Sequence, residues 1–278
     1  MENEKTIRLS FFGGTLAVIA LWEFIAPRRT LTVSKWIRWM NNLGLVFFNS
    51  FILRILFPAA AIGVALTAKE NHWGLFNLAE TPALFAVIAS VVIMDAIIYL
   101  QHVMFHAVPL LWRLHRVHHA DLDYDVTTGA RFHTIEILLS MGIKFAVIVL
   151  LGPPLVAVVI FEVILNAMAM FNHGNITLPK TADKILRLLF VTPDMHRVHH
   201  SIEDDEANSN FGFNLSLWDY IFGTYRSQPR KGHDGMTIGI KEFRDTKHSS
   251  WIHGMLLMPF IGNVSGYAIN RRDWSGNK

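Results

Sequence analysis

Residues 83–106 read ALFAVIASVVIMDAIIYLQHVMFH, an apolar run that ends in two histidines four positions apart. A membrane-spanning helix needs roughly 20 mostly apolar residues, and residues 83–100 come close to that length. His102 and His106 follow on one face of the extended helix, because positions i and i+4 are neighbours on a helix surface. This stretch therefore predicts a membrane helix that presents metal-binding side chains at one end.

The composition of the whole chain is that of a membrane protein. Its 278 residues are 52% hydrophobic and only 17% charged, whereas soluble domains have about 25% charged residues. The chain has no cysteine, which excludes disulfides, thiolate nucleophiles and cysteine-ligated zinc or iron–sulfur sites. The small net charge of +3 favours orientation in a membrane over nucleic-acid binding, so we expect no nucleic-acid partner.

Three further apolar stretches complete the predicted membrane domain. Residues 9–26 and 43–66 are each long enough for one span. Residues 135–171 are too long for one span, and Pro153 and Pro154 interrupt them, so they are predicted to form a helical hairpin. The predicted fold is all-α, with three spans plus a helical hairpin and a cytosolic His-rich helical cap.

The distribution of Lys and Arg predicts the orientation of these spans. Residues 28–42 contain four basic residues, whereas residues 68–82 contain only Lys69. Because cytoplasmic loops are enriched in Lys and Arg, residues 28–42 are predicted to be cytoplasmic. Both His-rich segments then lie on the cytoplasmic side of a multi-pass membrane protein.

Eight histidines fall into three motifs, one HxxxH and two HxxHH: His102 and His106; His115, His118 and His119; and His196, His199 and His200. On a helix, positions i, i+3 and i+4 share one face, so each motif points its imidazoles in a common direction. Without a metal, eight packed imidazoles would repel one another on protonation. The pattern therefore predicts about two metal ions, of a kind that imidazole suits, such as Fe, Zn, Cu or Ni.

The motifs also narrow the chemistry. The Glu-x-x-His pairs of soluble di-iron bundles and the His-Glu-x-x-His motif of zinc peptidases are absent. An all-histidine metal pair beside a membrane suits activation of oxygen for attack on a lipid C–H bond. A non-redox metal protein, either a zinc-dependent membrane hydrolase or a metal carrier, is the alternative from another class.

The order of these motifs resembles the membrane-bound fatty acid hydroxylase and sterol desaturase superfamily, over roughly residues 90–226. Four local sequences strengthen the resemblance: RFH at 131–133, NHGN at 172–175, NFG at 210–212 and LWDYIFGTY at 217–225. The resemblance implies a membrane oxygenase with two iron ions, or zinc as purified, that uses O2 and two electrons. Carried over by position, its metal ligands would be His102, His106, His115, His118, His119, His173, His196, His199 and His200.

Two departures from the family pattern concern single histidines. His173 stands alone, because Thr177 occupies the position where fatty-acid 2-hydroxylases have a second histidine. His133 is followed by Thr134, where the family often has proline. We interpret His133 as a residue that supports the ligands, with a tenth ligand as the alternative.

Several other polar residues are placed to support the ligands, because ligating histidines usually donate their second N–H to a carboxylate or carbonyl. Asp95, for example, lies seven residues before His102 and thus on the same helix face; the alternative is an aspartate reaching the membrane interface. The predicted supporting residues are Asp95, His133, Glu136, Asn172, Asn175, Asp194 and Asp219.

The chain is predicted to comprise membrane spans at 1–82, a catalytic domain at 83–226 and a cytosolic or interfacial segment at 227–278. Residues 183–191 and 251–262 are expected to lie on the membrane or cap the cytosolic domain, and the tail from Asn270 is expected to fray.

The predicted function is hydroxylation of an unactivated C–H bond of a lipid, with desaturation at the same metals as the close alternative. Fatty acyl chains, sterols, ether lipids, aminolipids and carotenoids all remain open as substrates. The sequence has no heme-binding His-Pro-Gly-Gly segment and no flavin domain. We therefore expect a separate electron donor, of ferredoxin or cytochrome b5 type with its reductase. The expected location is a bacterial cytoplasmic membrane.

Overall fold

A computed structural model describes residues 4–79 and 81–264 and is almost entirely helical in these ranges. The predicted tail from Asn270 lies outside them. Two isolated β-bridges, and no strands, occur in the described ranges. The helices are α1 Glu4–Ile25, α2 Lys35–Leu56, α3 Ala60–Glu70, α4 Leu75–Leu78, α5 Ala83–Ala107, α6 Pro109–His119, α7 Thr134–Leu151, α8 Leu155–Asn172, α9 Lys180–Leu186, α10 Pro193–His199, α11 Asp204–Ala207, α12 Leu217–Ile221, α13 Gly232–Gly235, α14 Thr246–Ser249 and α15 Ile252–Leu257.

Five stretches of the described chain are long and apolar enough to cross a membrane. They are α1, residues 35–78, α5, α7 and α8. Their outward faces carry large apolar side chains, among which Phe47 is 73% exposed and Leu84 72%. A soluble protein rarely exposes so continuous an apolar surface, so the all-α membrane fold expected from the sequence is confirmed.

The expected second span, residues 43–66, is interrupted. Helix α2 ends at Leu56, residues 57–59 form a turn, and α3 starts at Ala60. Pro58 is the physical reason, because proline lacks the N–H that a helix interior needs and its ring clashes with the preceding turn. Helix α2 also starts at Lys35, earlier than expected, so its first turns lie beside the histidine segments.

The expected helical hairpin is present as α7 and α8. Helix α7 ends at Gly152, which adopts a left-handed conformation with φ of 61°, and α8 begins after Pro153 and Pro154. Glycine commonly closes a helix in this conformation because it has no Cβ to clash.

The loops sort to the two ends of the bundle as the charge bias predicts. At the histidine end, Arg28 donates its backbone N–H to the carbonyl of Asn175 at 2.8 Å. At the opposite end, Gly74 lies so close to the hairpin turn that a Cβ on it would fall 2.2 Å from the backbone nitrogen of Gly152. The basic loop and both histidine segments therefore share one end, and the loop before α5 lies at the other.

A cap, formed by residues 108–133 and 174–264, covers the histidine end of the spans. Its core joins distant parts of the chain, since Leu45 of α2, Trp112 of α6 and Met255 of α15 pack in one buried cluster. Residues 251–262 thus pack into this cap, whereas Ile185 and Leu188 in and after α9 stay 62% and 67% exposed. The three-segment division of the chain remains a prediction.

Buried ionic contacts fix the cap to the spans. Arg38 of α2, fully buried, donates to both carboxylate oxygens of Asp121 at 2.9 and 2.8 Å and also pairs with Asp125. Glu23 of α1 accepts the backbone N–H groups of Val126 and Asn175 at 2.7 and 2.9 Å. These contacts satisfy charges that would otherwise be costly to bury.

Candidate metal centre

The nine histidines predicted as ligands converge at the junction of spans and cap, and all nine are buried. They form two groups, in each of which the candidate ligand atoms lie within 4.8 Å of one another. The five-histidine group contains His102, His106, His115, His119 and His199. The four-histidine group contains His118, His173, His196 and His200.

Four helices supply these side chains. Helix α5 contributes His102 and His106 from its last turns, and His173 caps the end of α8. Helices α6 and α10, the latter with its C-terminal cap residue His200, contribute one HxxHH motif each. The i, i+3 and i+4 positions lie side by side on one helix face, so each motif supplies histidines to both groups. Proline at the start of both helices, and the Thr192 side chain that accepts the N–H of Met195, define where these short helices begin.

The outward ring nitrogens of several histidines are bound to acceptors, which fixes their tautomers. The Nδ1 of His102 donates to the carbonyl of Phe211 at 2.8 Å, and that of His199 to the carbonyl of Ser209 at 2.7 Å. The Nδ1 of His173 likewise donates to the carbonyl of Ala169 at 2.7 Å. A carbonyl can only accept, so each Nδ1 carries the proton and each Nε2 keeps its lone pair.

These lone pairs face one another. The Nε2 atoms of His102 and His199 lie 3.0 Å apart, and neither has a proton to share. The Nε2 of His173 lies 3.1, 3.1 and 3.2 Å from the Nε2 atoms of His118, His196 and His200, and its one lone pair can accept a proton from only one of them. Opposed, buried lone pairs without a proton between them are unfavourable unless a cation occupies the space. The donor set therefore fits metal ions at both groups.

Burial also keeps the cap imidazoles in their ligating form. Desolvation lowers the pKa of His115 from 6.5 to about 3. Burial first, and then repulsion from neighbouring imidazoles, holds the pKa well below its ordinary value in His118, His119, His196 and His200. Only neutral imidazole binds a metal, so these residues are ready to do so near neutral pH.

Of the residues predicted to support the ligands, Glu136 contacts one directly. Its Oε1 lies 2.6 Å from the Nδ1 of His115, where both side chains are buried. Asp219 acts one contact further away: it accepts the N–H groups of Phe211 and Gly212 at 2.8 and 2.9 Å, and so holds the loop that receives His102.

The other predicted supporting residues lie away from the ligand nitrogens. Asp95 accepts the indole N–H of Trp218 at 2.8 Å, and Asp194 pairs with Arg197. Asn172 donates to the carbonyl of Phe213 in the cap, and Asn175 donates to the carbonyl of Arg29 in the loop after α1. His133 lies outside both histidine groups; its Nδ1 accepts the N–H of Ile135 at the start of α7.

Asn208 was not anticipated from the sequence. Its Oδ1 lies 3.3 Å from the Nδ1 of His106. An asparagine eight residues after a histidine motif carries no local signal, so only the fold reveals this contact. The acidic residues Glu203, Asp204 and Asp205 nearby are paired with basic side chains of the cap, such as Arg226 and Lys231.

A cavity of about 480 Å³ extends from the histidines between the spans. His102, His115 and His118 form part of its wall at one end. Apolar side chains form most of the rest, and those from α2, α5, α7 and α8 include Leu53, Ile98, Phe105, Met141, Leu165 and Met170. Helices α5 and α8 thus form two walls of the cavity, and α1, α2 and α7 form further walls.

Comparisons with known proteins agree with this geometry. The fatty acid hydroxylase family model matches residues 87–224. Ornithine lipid hydroxylase OlsE of Rhizobium tropici is 30% identical over 222 residues, which are 78% of this chain and 66% of that protein. Human alkylglycerol monooxygenase is 30% identical over 155 residues (54% and 32%), and human cholesterol 25-hydroxylase 24% identical over 135 residues (48% of each). No solved structure matches the chain.

Proposed function

The chain belongs to the fatty acid hydroxylase family, and on that premise we propose that it is a membrane-bound di-iron oxygenase that hydroxylates an unactivated C–H bond of a lipid. The observation that supports this most directly is the pair of buried histidine groups at the end of a largely apolar cavity. The named relatives act on an ornithine lipid, an alkylglycerol and cholesterol, so a lipid of this chemical range is the proposed substrate.

The reaction balances as R–H + O2 + 2 e⁻ + 2 H⁺ → R–OH + H2O. Iron, when bound by the histidine groups, would supply the redox chemistry that activates O2. A purely imidazole donor set suits iron, whereas carboxylate-rich sites suit harder cations. The electrons would come from a separate donor of ferredoxin or cytochrome b5 type.

The residues of this chain have three roles in the proposed reaction. The carbonyls of Phe211 and Ser209, together with Glu136, orient imidazoles so that Nε2 points inward. Such supporting contacts fix the tautomer and raise the basicity of the ligand. The apolar wall of the cavity excludes bulk water and positions the alkyl part of the substrate.

We also propose that the histidine end faces the cytoplasm of a bacterial cell. The basic loop at residues 28–42 lies at this end, and cytoplasmic loops are those enriched in Lys and Arg. A cytoplasmic centre would be accessible to soluble electron donors.

Lipid analysis under ¹⁸O2 tests the proposed activity. Membranes that contain the iron-loaded protein and a reducing system should yield a lipid with one added ¹⁸O atom. A product with two fewer hydrogens and no label would show the desaturase alternative instead. His199→Ala should abolish the product, and His253→Ala, at an exposed histidine, should not. A wild-type protein with both metals bound and no O2-dependent product would refute the proposal.

A further inference from the structure

Three charged side chains line the same cavity well inside the membrane-spanning region. Arg8 of α1, Lys144 of α7 and Glu162 of α8 all form part of its wall. The Nζ of Lys144 lies 2.9 Å from Oε1 of Glu162, and Arg8 pairs with Oε2 of the same carboxylate. The side chains of Lys144 and Glu162 are only 14% and 10% exposed. We name Arg8, Lys144 and Glu162 the charged end of the cavity.

The charged end and the histidines lie at opposite ends of the cavity. On α7, Glu136 contacts His115, and Lys144 follows eight residues later, about 12 Å along the helix axis. On α8, the carbonyl of Ala169 accepts from His173, and Glu162 precedes it by about 10 Å. The two helices therefore give the same separation independently.

Charged residues at this depth need an explanation. Ionisable side chains inside a bilayer are costly, and they generally mark a binding site or a transport path. A contact that only joined α1, α7 and α8 would not need to border a cavity, because well-packed apolar side chains tie helices together without the desolvation cost.

The charged end has an excess of hydrogen-bond donors. Guanidinium and ammonium groups carry donors only, and Arg8 and Lys144 contact two carboxylates between them, those of Glu162 and of Glu4. These two carboxylates balance the two positive charges, yet several N–H groups remain for a further partner. That partner should present acceptor oxygens.

We infer that Arg8 and Lys144 bind the oxygen-bearing polar end of the lipid substrate, a carboxylate or a phosphate ester, so that its alkyl chain points towards the histidines. This inference rests on the proposed function and adds an orientation to it. The attacked carbon then lies about 12 Å from the polar end, so oxidation falls on a remote methylene or methyl group and not beside the polar group.

Competition binding tests the head-group preference without turnover. The probe is tritiated hexadecanoate on the metal-loaded full chain in nanodiscs, under argon and without reductant. Hexadecanoate and hexadecyl phosphate should bind about tenfold more tightly than hexadecylamine, as judged by the concentration that displaces half of the probe. Hydrogen bonds to charged groups stabilise a complex by an amount that corresponds to about this factor in affinity. Whichever of the two competes better identifies the preferred polar end. Equal competition by the amine would overturn the inference.

Variants at the charged end provide the second arm. Lys144→Met should lower the affinity for hexadecanoate about tenfold and leave the affinity for hexadecane unchanged. Lys144→Arg keeps the hydrogen-bond donors and should retain most of the affinity for hexadecanoate. Lys184→Met makes the same substitution at an exposed position on α9 and should have no effect. Wild-type affinity in Lys144→Met would overturn the inference, and the competition series in the wild type decides the matter if that variant does not fold.

Photo-crosslinking tests the orientation. A hexadecanoate with a mid-chain diazirine, about 12 Å from its carboxylate, should label peptides that contain Phe105 or Phe132, beside the histidines. Labelling of peptides with Phe12 or Leu53 would mean the reverse orientation and refute the inference. Because these assays involve no oxidation, they can fail while the proposed hydroxylation holds, and the ¹⁸O2 experiment can fail while the binding results hold.

Discussion

Removal of the Glu136 carboxylate should weaken one metal site and spare the other. Its Oε1 lies 2.6 Å from the Nδ1 of His115, and the side chains of Glu136 and His115 are 5% and 4% exposed. His115 belongs to the five-histidine group only. In Glu136→Ala the buried Nδ1–H loses its acceptor, which costs roughly 1–3 kcal/mol. Loss of such a supporting contact typically lowers metal affinity by about 10–100-fold.

Competitive chelator titration, followed by metal analysis, measures this effect. The wild type should release its two ions at similar chelator concentrations, and Glu136→Ala should release one of them at about 10–100-fold less chelator. Glu136→Gln, which keeps an acceptor oxygen without the charge, should fall between the two. Glu203→Ala removes an exposed acid and serves as the matched control. Equal weakening of both ions, or of neither, would refute the assignment of Glu136 to the five-histidine group.

Three further predictions concern acid stability, the cap and His133. The pKa of His115 is near 3 in the folded protein and 6.5 in the unfolded chain, so the unfolded chain takes up more protons between these values. The metal-free protein should therefore lose stability as the pH falls from 6.5 towards 3. Thermal unfolding followed by circular dichroism measures this loss, and a Tm independent of pH would contradict it. Arg38→Ala removes the guanidinium that pairs with buried Asp121 and Asp125, of which Asp121 keeps only the more distant Arg131, and should cost about 3–5 kcal/mol of unfolding free energy, whereas Arg54→Ala, at an exposed position, should cost little. His133→Ala should keep two metal ions per chain and lose about 1 kcal/mol of unfolding free energy, because the side chain that accepts the N–H of Ile135 at the start of α7 is removed. Loss of an ion would make His133 a ligand.

Local patterns in the sequence predicted most of the metal centre. The spacing of His115, His118 and His119 places three imidazoles on one helix face, and the structure turns that face towards the other motifs. The hairpin was equally local, since Pro153 and Pro154 interrupt an apolar run. His173 has no such spacing, and its assignment came from the family resemblance alone.

The contacts that the sequence did not reveal join residues far apart in the chain. Arg38 and Asp121 are separated by 83 positions, and neither stands in a local pattern that points to the other. Lys144 stands alone in an apolar helix, and its partner Glu162 is 18 positions away across the hairpin. Pairings of this kind depend on which helices become neighbours, and helix periodicity carries no such information.

The cavity meets both histidine groups, and this relates the geometry to the proposed reaction. His102 and His115 belong to the five-histidine group, His118 belongs to the four-histidine group, and all three line the same cavity wall. A lipid chain in the cavity therefore approaches the boundary between the two groups and not one group alone. The two electrons from the donor could be held one on each of two metal ions, so a substrate at that boundary would reach both. The remaining six histidines of the two groups lie behind the wall, where backbone carbonyls and buried side chains shield them from solvent.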